Sequence, residues 1–324
     1  MDPLRLIPSS RTDLDALVIR RAGERKIGES VHPGVAGSRF TLLGIPEDIG
    51  VRSNGGRPGA AGGWHAFLGA FLNEQDNDFI DCRTIGCLGT VDTAGLGGDT
   101  TEALRRAVAE LDDRVEPIVR SVVERGSVPI VVGGGHNNAL PILRAVCHGR
   151  KIERAASLNI DSHLDFRAIE GRHSGNGFSY AHEEGILGAY VVFGAHEGAL
   201  AAHRLVAFSD AGFSYASFES MCIRESESPS EALGRLIAQL SGTGLPVVLE
   251  VDLDAIADMP SSASSPMGWR VSEVAAFVHR AASRLSIAAF HLAEGAPSLA
   301  ADGERRVGRA LAALVRAFIG GSSR

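Results

Sequence analysis

From residue 40 onward the chain alternates short apolar, β-branched runs with longer stretches of helical periodicity, and this alternation leaves few architectures open. RFTLLGIPED reads as a strand running into a loop, and PGAAGGWHAFLGAFLNEQ as the helix that follows. TEALRRAVAELDDRVEPIVRSVVERG is a long amphipathic helix that stops at Gly126. SVPIVVGGGH is another strand, with a helix in NALPILRAVCHG. AASLNIDSHLD and AYVVFGAHE are two more strand-then-loop units, LPVVLEVDLD and IAAFHLAEGAP two further strands. VSEVAAFVHRAASR and ERRVGRALAALVRAFIGG are helices. The apolar runs have strand length and β-branched content, whereas the segments between them carry the helical period. Strand and helix in such succession specify an α/β fold, a doubly wound parallel sheet with helices on both faces. No internal repeat, linker or low-complexity segment interrupts it. The expectation is a single domain over residues 1–324, with residues 1–40 a partly irregular lead-in.

Composition narrows the class of partner. With 44% hydrophobic and 22% charged residues in 324, the chain can bury a sizeable core and is not disordered. Its 32 basic and 39 acidic residues give a net charge of -7 without a basic stripe, which argues against nucleic acid and against an anionic membrane. Apolar runs such as VPIVV are far too short to span a bilayer, and the first residues lack the apolar core of a signal peptide. That leaves a soluble enzyme or binding protein, with the cytoplasm as the expected location. Cys82, Cys87, Cys147 and Cys222 are too scattered for a disulfide scaffold and read as thiols in a reducing compartment. The 39 glycines collect in SNGGRPGAAGG, GGGH and GRHSGNG, loops in which backbone can approach a ligand.

In an open parallel sheet, ligands bind beyond the carboxyl ends of the strands. After VPIVV stands His136; after SLNI stand Asp161, His163 and Asp165; after VVLEV stand Asp252 and Asp254; after IAAFHLA stands Glu294. Residues two apart in extended chain point to one side, so Asp161, His163 and Asp165 can converge, as can Asp252 and Asp254. Four clustered carboxylates without cations would repel one another and be costly to bury. Two divalent cations cancel that charge, and two imidazoles add neutral ligands. The mixed oxygen and nitrogen set is compatible with manganese and, by ligand type, with zinc, iron or nickel. A two-metal centre with a bridging water is the simplest arrangement that uses every group.

GGGH, DSHLD and DLD, in this order and separation, resemble the three metal motifs of the arginase (ureohydrolase) family, and the resemblance runs from residue 41 over nearly the whole chain. It implies a three-layer α/β/α sandwich around a central parallel sheet and two Mn2+ per chain. One ion would be held by His136, Asp161, Asp165 and Asp252. The other would take Asp161, His163, Asp252 and Asp254, so that Asp161 and Asp252 bridge. EGAPSL resembles the family's EVNPSL segment, which implies that Glu294 holds the cationic amidine or guanidinium of a substrate. Asp254 would pass a proton from the bridging water towards the leaving nitrogen. Family members are commonly oligomeric, so a homo-oligomer is also implied.

Within the family, EGRHSGNGFSYA, PEDIGVRSNGGRPGA and FGAHEG look most like formimidoylglutamase-type members, which cleave N-formimidoyl-L-glutamate to L-glutamate and formamide in histidine degradation. Arginases carry asparagine at the position of Arg167 and histidine at that of Phe178, and agmatinases carry an HGT turn where this chain has His173, Ser174 and Gly175. A substrate with two carboxylates calls for cations. Arg167 and Arg172 lie on the loop leaving the metal strand, with Arg52 and Arg57 on the first loop after a strand, and arginine's planar fork suits carboxylates. Ser174 and Asn176 could bond an α-amino or carboxylate group. His173 either relays protons at the mouth of the site or orders its loop, and His196, at another strand end, is expected to border the pocket. Two departures stand out. The family's DxDxxDPxxAPG becomes DLDAIADMPSSASSPMG, and the glutamate segment lacks Val-Asn. A guanidino hydrolase of agmatinase, guanidinobutyrase or arginase type, releasing urea, is the alternative. A metal-binding relative without catalysis is the second.

Overall fold

The computed structural model describes residues 5–322, so residues 1–4 of the expected lead-in lie outside the described residues. Ten strands make one sheet: β1 (Leu6–Pro8), β2 (His32–Pro33), β3 (Phe40–Gly44), β4 (Ile85–Val91), β5 (Val128–Val132), β6 (Ala155–Ile160), β7 (Leu187–Ala195), β8 (Ser214–Ser217), β9 (Val247–Asp252) and β10 (Ile287–Ala293). Their spatial order is β1-β4-β3-β5-β10-β9-β6-β7-β8, with β2 beside β4. Every pairing is parallel except that of β1 with β4 at one edge.

Twelve helices lie between the strands among the described residues: α1 (Arg11–Leu17), α2 (Ile27–Ser30), α3 (Ile49–Ser53), α4 (Gly63–Phe71), α5 (Thr101–Glu124), α6 (Ala139–Arg150), α7 (Gly177–Glu183), α8 (Ala202–Asp210), α9 (Phe218–Cys222), α10 (Pro229–Thr243), α11 (Val271–Arg284) and α12 (Gly303–Ser322). The α/β/α architecture expected from the alternation is the one observed. The lead-in is more ordered than its composition suggests. Ser10 and Asp13 cap α1 reciprocally, and Leu14, Ile27 and Val31 pack into the core. Residues 202–243, where the sequence reading named no element, hold α8, β8, α9 and α10.

Two cores result from the two-residue period of the strands. Leu42, Ile130, Val132, Leu158, Leu249, Phe290 and Leu292 face one side, under α4, α10, α11 and α12. Leu43, Val131, Val192 and Val248 face the other, under α5, α6 and α7. Both faces are buried, as helices on both sides of a parallel sheet require. α4 and α12 approach so closely that a Cβ on Gly308 would lie 2.2 Å from the Ala66 carbonyl oxygen. Among the described residues, no helix is long and apolar enough to cross a membrane.

Candidate metal centre and substrate pocket

β5, β10, β9 and β6 are neighbours at the middle of the sheet and run parallel, so their carboxyl ends share one edge. β5 ends at Val132 and turns through Gly133 and Gly134, both at positive φ, to present His136. A Cβ on Gly134 would lie 2.5 Å from Asn138 Nδ2 and 2.7 Å from Glu47 Oε1, so only glycine fits there. Asp161 directly follows β6, Asp252 ends β9, and Glu294 follows β10.

His136 Nδ1 lies 2.8 Å from Asp165 Oδ2, 3.2 Å from Asp252 Oδ2 and 3.4 Å from Asp161 Oδ2. These four residues form a group whose ligand atoms could hold a metal ion. His163 Nδ1 lies 3.5 Å from Asp161 Oδ1 and 3.7 Å from Asp254 Oδ2. The other oxygens of the strand-end aspartates are tied to backbone: Asp161 Oδ1 accepts from His163 N, and Asp252 Oδ1 accepts from Asp254 N, each at 2.7 Å. Asp161 thus stands between the two imidazoles, while Asp252 meets His136 and is tied to the backbone of Asp254, the second carboxylate beside His163.

The charges of this cluster are out of balance. Burial, followed by the neighbouring carboxylates, pushes Asp165 and Asp252 above the usual carboxylate range, and burial does the same to Asp254. Against burial, Asp161 and its neighbours pull protons onto the imidazoles, raising His136 and taking His163 to about 10. Both ring nitrogens of His136 are buried without a well-aligned hydrogen bond. Divalent cations would relieve this arrangement of crowded acids and unsatisfied imidazole, and the donor set fits them.

Glu294 completes the floor. Its Oε1 accepts from His136 N at 3.0 Å and its Oε2 from Ser262 Oγ at 3.0 Å. Burial and then the charge of Asp254 raise its carboxyl to about 8. Its backbone sits in the left-handed region, φ 65°, as does that of Asp165, φ 44°. Both line a cavity of about 620 Å³ with His163, Asp252 and Asp254.

The arginase family model matches residues 38–320. The chain belongs to the arginase family. It is 28% identical over 284 residues to formimidoylglutamase of Aromatoleum aromaticum, covering 85% of this chain and 81% of that one. In fold it is similar to the crystal structure of Trypanosoma cruzi formiminoglutamase with Mn2+2, with a TM-score of 0.76 at 23% identity over 93% of this chain and 99% of that one. It is also similar to formimidoylglutamase from Bacillus subtilis, with a TM-score of 0.79 at 16% identity over 94% and 93%.

The other residues expected to bind substrate fare unequally in this arginase-family chain. Arg167 and Ser174 line the cavity. Arg167 is half exposed, bonded to Asn54 and 3.8 Å from Glu170. Arg172 is corrected. It is buried, with Nε 2.7 Å from Asp112 Oδ2, Nη1 on Asn176 and Nη2 on the Asn137 carbonyl, so its fork is spent inside the protein. Asn176 is corrected with it, since its amide also donates to Ala168 and Gly171. Arg57 holds the carbonyls of Ser261 and Ser262, which secures the lengthened loop after Asp254 and leaves Arg57 outside the cavity lining. His173 is wholly buried, accepts from Gly175 N and meets Glu170, so of its two expected roles the geometry favours ordering the loop. His196 packs its ring on Phe218 and does not line the cavity.

Sequence reading sets aside His203 and His291, as far from the motifs or inside an apolar strand, and passes over Arg204 and Glu250. His203 and Arg204, from the first turn of α8, line the cavity, and the Arg204 guanidinium makes no ion pair or hydrogen bond among the described residues. Glu250 and His291 are buried beside His136. Their signal was present: each is an ionisable residue inside an otherwise apolar strand, two and three positions before Asp252 and Glu294 respectively.

Proposed function

We propose that this chain is a cytoplasmic two-manganese hydrolase of linear amidines that converts N-formimidoyl-L-glutamate and water to L-glutamate and formamide. The observation that carries this reading is one cavity with a carboxylate and imidazole floor and a rim of Arg167, His203 and Arg204. The floor suits metal ions and a cationic amidine, the rim suits the two carboxylates of the same small molecule. The formimidoylglutamase relatives and the Mn2+ of the Trypanosoma cruzi structure support it, and four free cysteines fit a reducing compartment.

His136, Asp161, Asp165 and Asp252 would hold one ion, and Asp161, His163, Asp252 and Asp254 the other. When bound, such a pair supplies hydroxide at neutral pH. Glu294 holds the amidinium carbon over the floor. Its two oxygens are already oriented by His136 N and Ser262 Oγ, so binding costs little side-chain freedom. Asp254 carries a proton from the attacking water to the nitrogen that leaves as the glutamate amine. Its Oδ1 accepts from Ala263 N at 3.4 Å, which helps hold the carboxylate in place. Arg167 and Arg204 take the substrate carboxylates, with Ser174 beside Arg167.

The test is turnover by the Mn2+-loaded protein on formimidoylglutamate, arginine, agmatine and guanidinobutyrate. The expected result is formamide release with kcat/KM highest for formimidoylglutamate. Urea release from a guanidino substrate at higher kcat/KM would replace the substrate assignment and keep the metal centre. Absence of turnover with full metal content would make the chain a metal-binding relative.

A further inference from the structure

Directly beneath the metal ligands, three adjacent strands place polar residues in one row. Asn159 on β6 pairs in register with Glu250 on β9, and Glu250 with His291 on β10. All three are completely buried, and each stands on the sheet face opposite Leu158, Leu249 and Phe290. Burying such groups in a sheet core is costly unless they serve one another or a neighbour. Asn159 Nδ2 donates to Asp161 Oδ2 at 2.8 Å, so one member of the row already holds a proposed metal ligand.

Glu250 faces a second proposed ligand. Its Oε2 lies 2.6 Å from His291 Nδ1 and 3.5 Å from His136 Nε2, and the three side chains form one tight group. With a proton on His136 Nε2 turned to this carboxylate, the Nδ1 lone pair faces Asp161, Asp165 and Asp252. A carboxylate behind a ligating imidazole fixes its tautomer, orients its ring and raises its basicity. His291 Nδ1–H, donating to the same oxygen, keeps Glu250 from rotating away. Phe178, edge-on to the His136 ring at 5.4 Å between centroids, closes the remaining side.

We propose that Glu250 and His291 are positioning residues, a buried relay that sets His136 as a ligand and so controls the affinity of the metal position His136 shares with Asp165. The inference rests on the two-metal reading above, and its test separates the two. Metal-free full-length protein is titrated with Mn2+ and followed calorimetrically and by electron paramagnetic resonance. The unaltered chain is expected to bind two equivalents and show a spin-coupled signal. Glu250→Gln keeps the shape and removes the charge, and is expected to weaken one equivalent by roughly 10- to 100-fold while the other stays as it was. His291→Asn, which retains a donor, is expected to lose less affinity than His291→Leu.

Less than one tightly bound equivalent in the unaltered chain would overturn the metal reading and the relay together. Two equivalents in both the unaltered chain and Glu250→Gln, with equal affinities, would overturn the relay alone. So would equal weakening of both sites accompanied by a matching drop in the melting temperature of the metal-free protein, which would mark a packing role. A third equivalent in the unaltered chain, absent from His291→Asn, would show that Glu250 and His291 are ligands themselves.

Discussion

At the scale of single residues, what a side chain is bonded to decides what it can do for a substrate. Arg172 and Arg204 differ in this respect: the first is buried with every direction of its guanidinium taken, the second has its charge unspent at the cavity rim. Arg204→Ala is therefore expected to raise KM for formimidoylglutamate about tenfold or more, the value of a charge-assisted bond of roughly 1.5 kcal/mol or above. Metal content should stay the same, and an unchanged KM would remove Arg204 from the pocket. His173 makes a different prediction. Burial, and next the nearby Arg167 cation, lower it from 6.5 to about 4. As pH falls through 6.5 the unfolded chain takes up a proton that the folded loop refuses, so stability is lost between pH 6.5 and 4 and no further below. Denaturant titrations of His173→Asn across that range are expected to show a shallower loss than those of the unaltered chain, and parallel curves would exclude the effect.

Elements carry the site because the strands stop where they do. The positions of His136, Asp161, His163, Asp165, Asp252, Asp254 and Glu294 were legible because each follows an apolar run, and parallel strands bring those run-ends to one edge. Arg172 was not legible, since its partner Asp112 lies 60 residues away on α5 and nothing in either segment announces the pair. α8 also escaped notice. It buries only Phe208 among its nine residues, so its apolar face is too thin to betray the helix, and its two pocket residues went with it. The Asp112–Arg172 pair fastens α5 to the loop that carries His173 to Asn176 and to the His136 turn. Removing one member leaves the other as an unpaired buried charge, so Asp112→Ala is expected to cost about 3–5 kcal/mol in denaturant unfolding. The Asp112→Ala, Arg172→Leu double variant should recover part of that loss. A double variant no better than the single one would mean that the pair's hydrogen bonds, rather than charge balance, dominate.

For the molecule as a whole, the crowded acids at the centre of the sheet would couple folding to the metals proposed above. Ions that bind only the folded chain add about 2.7 kcal/mol per site at a concentration one hundred times Kd. Mn2+ is accordingly expected to raise the melting temperature by several degrees in a concentration-dependent way, and chelator to reverse it. A melting temperature indifferent to both would contradict a metal centre at these residues. The strand order has a consequence for synthesis. β10 is the last strand to be made, yet it stands between β5 and β9 and is the sole junction of two half-sheets, β1-β4-β3-β5 and β9-β6-β7-β8. His136 belongs to one half, the aspartates to the other, and Glu294 comes with the junction itself. While a ribosome is still adding residues before 287, each half presents an unpaired inner edge of the kind that invites association with other chains. The growing chain then depends on whatever shields those two edges, and the proposed metal ligands of the two halves can be held together as a set only once β10 has been made.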